Sequence, residues 1–168
     1  MRPLHVACFY GSTDTASLLI LNQADITAQD TNKSIPFAYA CSNSHYDIIE
    51  MFYTNFAQHP NADEIIQLVD AEKNTLLHLA VASANEQTVQ LLLNKNAQLT
   101  AKRKDGQTPI HLCAKTDSVD ILKILIQARG VLDDVDNENE TILHKASAHN
   151  KDNVLRYVLT QQVIKIIY

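Results

Sequence analysis

The 168-residue chain carries 19 acidic against 14 basic side chains, a formal net charge of -5 and a pI near 5.7, the wrong sign for a nucleic-acid partner. Its length supports one domain of ordinary size, no apolar run approaches a membrane-spanning length, and too few apolar residues precede Gly11 for a secretory leader. Three widely spaced cysteines, Cys8, Cys41 and Cys113, suit reduced thiols better than a disulfide framework, so a soluble cytosolic protein is expected.

The chain opens on RPLHVA at 2–7, followed at helical spacing by Ala16, Leu18, Leu19 and Leu21, which predicts two short helices. A polar turn, DTNKS at 30–34, leads to IPFAYA at 35–40, and that unit ends in FAQHPNADEIIQLVD at 56–70, which holds seven extra residues. TLLHLA at 75–80 opens a third unit, with Val89, Leu91, Leu92 and Leu93 as its second apolar run. After the turn RKDGQ at 103–107, TPIHLC at 108–113 opens a fourth, continued by Ile121, Leu122, Ile124 and Leu125. DNENE at 136–140 then precedes TILHKA at 141–146. The openings are 33 residues apart, except for a step of 40 between the second and third, and a fixed period of this kind marks a stacked repeat array. The expected units are about 1–30, 31–70 with the insertion near 56–70, 71–103, 104–136 and 137–168.

Histidines 78, 111 and 144 stand in a row at that period and invite a metal reading. Stacked helices lie roughly 8–10 Å apart, whereas zinc ligands converge on one ion at about 2 Å, so residues placed one per unit cannot share a metal. Threonine and histidine at a helix start can instead bond backbone groups left unpaired there, and a proline occupies a position whose amide is an orphan anyway. A structural role is therefore expected for Pro3, His5, Thr75, His78, Thr108, Pro109, His111, Thr141 and His144. Cys8 and Cys41, at matching places in adjacent units, are expected about 10 Å apart, too far for a disulfide, and should line the core.

Asp134, Asp136 and Glu138 alternate in the acidic run 133–140. Asn139 stands where a calcium loop needs glycine and Lys145 where it needs glutamate, so a solvated turn is expected. With three glycines in the chain there is no phosphate-cradling loop, nor an H-E-x-x-H pair or a nucleophile in a recognisable setting. No enzymatic activity, cofactor or metal is expected.

The openings in 33-residue register, with Ala-Asp at 24–25 and Ala-Gln at 97–98 ahead of the turns, resemble the T-P-L-H-x-A pattern of the ankyrin repeat over nearly the whole chain. Arg2 and Ile35 in place of threonine, and Ala38 in place of histidine, are local departures. The resemblance implies an all-α solenoid of helix–turn–helix units joined by β-hairpin fingers, and a module that binds a protein partner through fingers and first-helix ends on a concave face. Carried onto this chain, the candidate partner-binding residues are Phe9, Tyr10, Asn32, Ser34, Asn43, Glu72, Asn74, Lys104, Asp105, Gln107, Lys115, Glu138 and Glu140. Phe9 and Tyr10 are the aromatic members, a residue class that often anchors interfaces, unless they pack on a preceding unit.

Neither end reads as the polar face that closes a self-contained array, since the chain begins at an opening motif and stops at QQVIKIIY. A longer array is expected, with Leu4, Val6, Ile164, Ile166 and Ile167 exposed in the isolated chain and favouring self-association. The lengthened unit, TLLHLAV and ETILHKAS are similar to the ankyrin region of A-subfamily transient receptor potential channels. That likeness implies a cytosolic arm of a cation channel, linked to a transmembrane pore outside this segment. A soluble scaffold and the substrate-binding arm of an enzyme are the other readings.

Overall fold

The structure, a computed structural model, describes the backbone of residues 1–167 and side chains as far as Gln161. It divides into two compact units, Met1–Gln98 and Leu99–Tyr168. The first holds three helix pairs: α1 (Pro3–Tyr10) with α2 (Thr13–Leu21), α3 (Pro36–Ser42) with α4 (Tyr46–Asn55), and α5 (Leu76–Ala82) with α6 (Glu86–Asn94). First helices stack on first helices, α1 on α3 on α5, and second on second, α2 on α4 on α6. The second unit holds α7 (Pro109–Thr116), α8 (Val119–Gln127), α9 (Ile142–Ala148) and α10 (Asp152–Ile167), with α7 packed on α9 and α8 on α10. Among the described residues no helix is long and apolar enough to cross a membrane.

The helix starts have a local cause. His78 donates its amide to Thr75 Oγ1 at 3.3 Å, and Thr75 donates its amide to His78 Nδ1 at 3.3 Å. This reciprocal pair satisfies donors that a helix start leaves orphaned. Phe37, Ile48, Ile49, Phe52, Leu77 and Leu92 fill the first core, and Leu112, Ile121, Leu122 and Leu125 the second, all fully buried, each stabilising by roughly 1.5–3 kcal/mol relative to exposure. Buried Cys8, Cys41 and Cys113 line these cores as small apolar groups. Leu4, expected to be exposed, is buried at 2% because α1 packs against both α2 and α3, whereas Val6 is 44% exposed. Ile164, Ile166 and Ile167 lie outside the described side chains.

Each helix pair turns over one left-handed residue, Gly11, Ser44, Ala84, Asp117 or Asn150, with φ between 52° and 72°. The turns leading into the next pair use another, Lys33, Lys73, Gly106 or Asn139. The expected hairpin fingers are not confirmed: among the described residues there is no strand. Each turn is closed by a backbone bond from its first amide to its fifth carbonyl, Asp30 to Ser34 at 3.1 Å, Asp70 to Asn74 at 3.1 Å, Arg103 to Gln107 at 3.0 Å and Asp136 to Glu140 at 3.0 Å, and by a second from its fourth amide to its first carbonyl. Neighbouring turns share one further bond, Ala71 amide to Asn32 carbonyl at 2.8 Å and Asn137 amide to Asp105 carbonyl at 3.1 Å.

The seven extra residues add to the core. Successive turns between residues 57 and 67 bury Ala62, Ile65 and Ile66, and the rings of Phe56 and His59 lie 6.3 and 6.4 Å from that of Phe52.

Candidate functional site

In three of the four turns an aspartate at the first position holds the backbone. Asp30 Oδ1 accepts the amides of Asn32 and Ser34 at 2.8 and 3.0 Å, while Oδ2 accepts the Tyr39 hydroxyl at 2.5 Å. Burial raises the Asp30 carboxyl, but the Tyr39 hydroxyl and the two amides outweigh it and hold it below the ordinary range. Asp70 repeats the arrangement with the amides of Glu72 and Asn74 at 2.9 and 2.8 Å, its Oδ2 taken by Asn74 Nδ2 at 2.8 Å. Asp136 accepts the amides of Glu138 and Glu140 at 2.9 and 3.0 Å. In the third turn, 103–107, Arg103 holds that first position, and Asp105 accepts the Gln107 amide at 3.0 Å and faces the Arg103 guanidinium at 3.5 Å.

Histidines tie α1 and α7 to the turns that follow them. Nδ1 of His5 accepts the Arg2 amide at 3.1 Å, and that of His111 the Thr108 amide at 3.2 Å. The ring proton therefore sits on Nε2, which donates to the Ser34 carbonyl at 3.0 Å and to the Glu140 carbonyl at 3.1 Å, respectively. Both rings are buried, and burial lowers the His111 pKa against the pull of the Glu140 carbonyl. His144 keeps its local bond to the Thr141 amide at 3.2 Å but is exposed. His5 and His111 thus each reach from their own repeat to the turn that opens the next, while the bond of His144 to the Thr141 amide is local.

Asp136, Glu138 and Glu140 bring carboxylate oxygens within 4.8 Å of one another. Their centre is taken by the Lys145 ammonium, 2.7 Å from Asp136, 3.2 Å from Glu138 and also paired with Glu140. Burial raises Asp136, but Lys145 and the turn amides bring it down to about 2. Burial lowers Lys145, and the three carboxylates more than reverse this. The arrangement is a filled ion-pair cluster. The cysteines offer no nucleophile, since burial pushes Cys8 up to about 12 and Cys41 and Cys113 upward as well, the opposite of an activated thiol.

Among the sequence-derived candidates, Phe9 and Tyr10 are 40% and 72% exposed at the end of α1. Asn32, Asn43, Glu72, Lys104, Lys115 and Glu138 are also exposed, and Ser34, Asn74, Asp105 and Glu140 are half-buried. Gln107 is not a surface residue: its amide and carbonyl close the third turn, and it is buried. Met1, Val6, Phe9 and Tyr10 line a groove of about 370 Å³, and Asn32, Ser34, Tyr39, Asp70, Ala71 and Glu72 line another of about 280 Å³.

The family profile described as "Ankyrin repeats (3 copies)" matches residues 4–103 and 77–166. The chain belongs to the ankyrin-repeat family. Among its relatives is a transient receptor potential cation channel subfamily A member 1 homolog from Caenorhabditis elegans, 24% identical over 161 residues, 96% of this ankyrin chain and 13% of that protein. Rabankyrin-5 from Homo sapiens is 30% identical over 169 residues, covering 83% of the chain and 14% of the relative. Ankyrin repeat protein FPV031 of Fowlpox virus is 30% identical over 162 residues, covering 92% and 46%. The ankyrin chain thus spans between 13% and 46% of the length of these relatives. Ankyrin repeats are interaction modules, and no catalytic family is indicated.

Sequence reasoning missed the bracing residues of this ankyrin chain, Asp30, Asp70, Asp136, Tyr39 and Lys145. A signal for them exists. Aspartate opens three of the four turns, and nine residues on from Asp30 and Asp136 stand Tyr39 and Lys145, where Leu79 and Leu112 occupy the matching places.

Proposed function

We propose that this ankyrin chain is a non-catalytic module that binds a protein partner through its turn tips and first-helix ends, in the cytoplasm. The carrying observation is that the exposed candidates, Phe9, Tyr10, Asn32, Glu72, Lys104 and Glu138, stand on helix ends and turns whose backbones are held by buried or half-buried aspartates and histidines. Recognition residues on loops fixed by a rigid scaffold are the usual arrangement for binding. Second helices, by contrast, commit their apolar faces to stacking.

The test is a binding measurement on a partner recovered with the chain. Lys104→Glu should slow association in a salt-dependent way, and Phe9→Ala should speed dissociation, because charge mainly sets on-rate and apolar anchors set residence time. Glu138→Lys should also change the on-rate, and Gln90→Glu on the exposed face of α6 should change nothing. Weakening by Gln90→Glu alone would refute the assignment.

The likeness to the C. elegans channel homolog over 96% of the chain favours a second reading. In it the segment is the cytosolic ankyrin region of an A-subfamily transient receptor potential channel, its pore outside these residues. About six stretches of ~20 apolar residues further along the same open reading frame would carry this reading, and their absence would sink it.

A further inference from the structure

We propose that the face of the first unit carrying Phe9, Tyr10 and Tyr39 docks a peptide segment pairing a large apolar side chain with an arginine or lysine. This rests on the interaction-module reading and names the partner's chemistry. The buried side of α1, Leu4, Ala7 and Cys8, is spent on the core, whereas Val6, Phe9 and Tyr10 are 44%, 40% and 72% exposed. The Phe9 ring meets Tyr10 at 5.0 Å and Tyr39 at 5.9 Å, both edge-on, so three aromatic rings form one continuous patch. Met1 and Val6 extend it as the groove that receives the apolar side chain.

Tyr39 joins this patch to the second groove, whose lining of Asn32, Ser34, Tyr39, Asp70, Ala71 and Glu72 includes two carboxylates and no basic residue. The Tyr39 hydroxyl is fixed on Asp30 at 2.5 Å, adding a third carboxylate beside the ring. A guanidinium suits such a place, because it stacks on aromatic rings and forks to carboxylates. The wider field has the same sign: the first unit sets Arg2, Lys33, Lys73 and Lys95 against ten acidic residues, while the second sets ten basic against nine acidic. An acidic segment is repelled from this face, and a wholly apolar one leaves the carboxylate groove unmatched.

The experiment is selection of a phage-displayed random dodecapeptide library on the full chain, followed by fluorescence anisotropy with synthetic copies of the enriched peptides. Enriched sequences should pair a basic with a large apolar residue and bind more weakly in higher salt. Phe9→Ser and Asp70→Asn should each raise Kd by about tenfold. Asn in place of Asp70 keeps an oxygen for the turn amides and removes the charge, and a thermal melt checks that both variants fold. Enrichment of acidic or wholly apolar peptides, or no enrichment, overturns the proposal. Peptides indifferent to both variants but lost with Lys104→Glu or Glu138→Lys would overturn it while the interaction-module reading stands. Peptides lost only with Gln90→Glu would sink both. A dimer in sedimentation that Phe9→Ser dissolves would assign the face to a second copy and overturn it too.

Discussion

Replacing Lys145 with methionine keeps the aliphatic stem and removes the ammonium from among Asp136, Glu138 and Glu140. The Asp136 side chain is 1% exposed and that of Lys145 11%, whereas Glu138 is 75% exposed. Breaking a buried pair costs about 3–5 kcal/mol, and an exposed arm adds at most about 1 kcal/mol. A second route starts from the depression of Asp136 from 3.8 to about 2. At 1.36 kcal/mol per pKa unit this net depression, in which the turn amides share with Lys145, is about 2 kcal/mol after discounting for solvent reaching the lysine. Together they place the loss at about 2–3 kcal/mol at neutral pH. The sign follows from linkage: a depressed carboxyl stabilises the fold above its unfolded pKa near 3.8, and that stabilisation is lost as pH falls through about 2. Urea denaturation of wild type and Lys145→Met, followed by circular dichroism across the acid range, should therefore show a gap that is full above pH ~4 and closes toward pH ~2. A buried pair is also weakly screened, so added salt should shrink the gap little. A loss below about 0.5 kcal/mol, the range of an exposed pair, or a gap independent of pH, would refute the reasoning.

His111→Ala removes the tie to the Glu140 carbonyl and should cost about 1–3 kcal/mol in urea denaturation, with zinc uptake in equilibrium dialysis unchanged. Because burial lowers the His111 pKa, its neutral form stabilises the fold above the unfolded value near 6.5, so wild-type stability should decline as pH falls below ~6.5. Ala84 sits at φ 55°, where a side chain costs roughly 1–2 kcal/mol and glycine's extra entropy roughly 0.5–1, so Ala84→Gly should raise thermal stability slightly. Gly106→Ala should do the reverse, since φ is 80° and a Cβ would stand 2.6 Å from the Asn137 backbone nitrogen. The three buried thiols should resist an aromatic disulfide reagent until denaturant is added; fast native labelling of Cys8 would contradict its burial.

Helix starts, the repeat period and the role of the histidines were legible because they depend on residues three or four apart along one helix, which a linear sequence displays directly. The Thr75–His78 pair is such a case. Tertiary packing alone settled the rest. His111 finds the Glu140 carbonyl 29 residues ahead, a meeting that depends on how successive repeats stack. Lys145 read as a departure from a calcium loop, yet its ammonium fills the turn's acidic centre. Where hairpin fingers were expected the described residues form turns without strands, and in the last of them the Asp136 side chain takes two turn amides. Gln107 and Leu4 went inward for the same kind of reason: exposure belongs to the packed surface, and two residues of one pattern face different neighbours once helices are laid side by side.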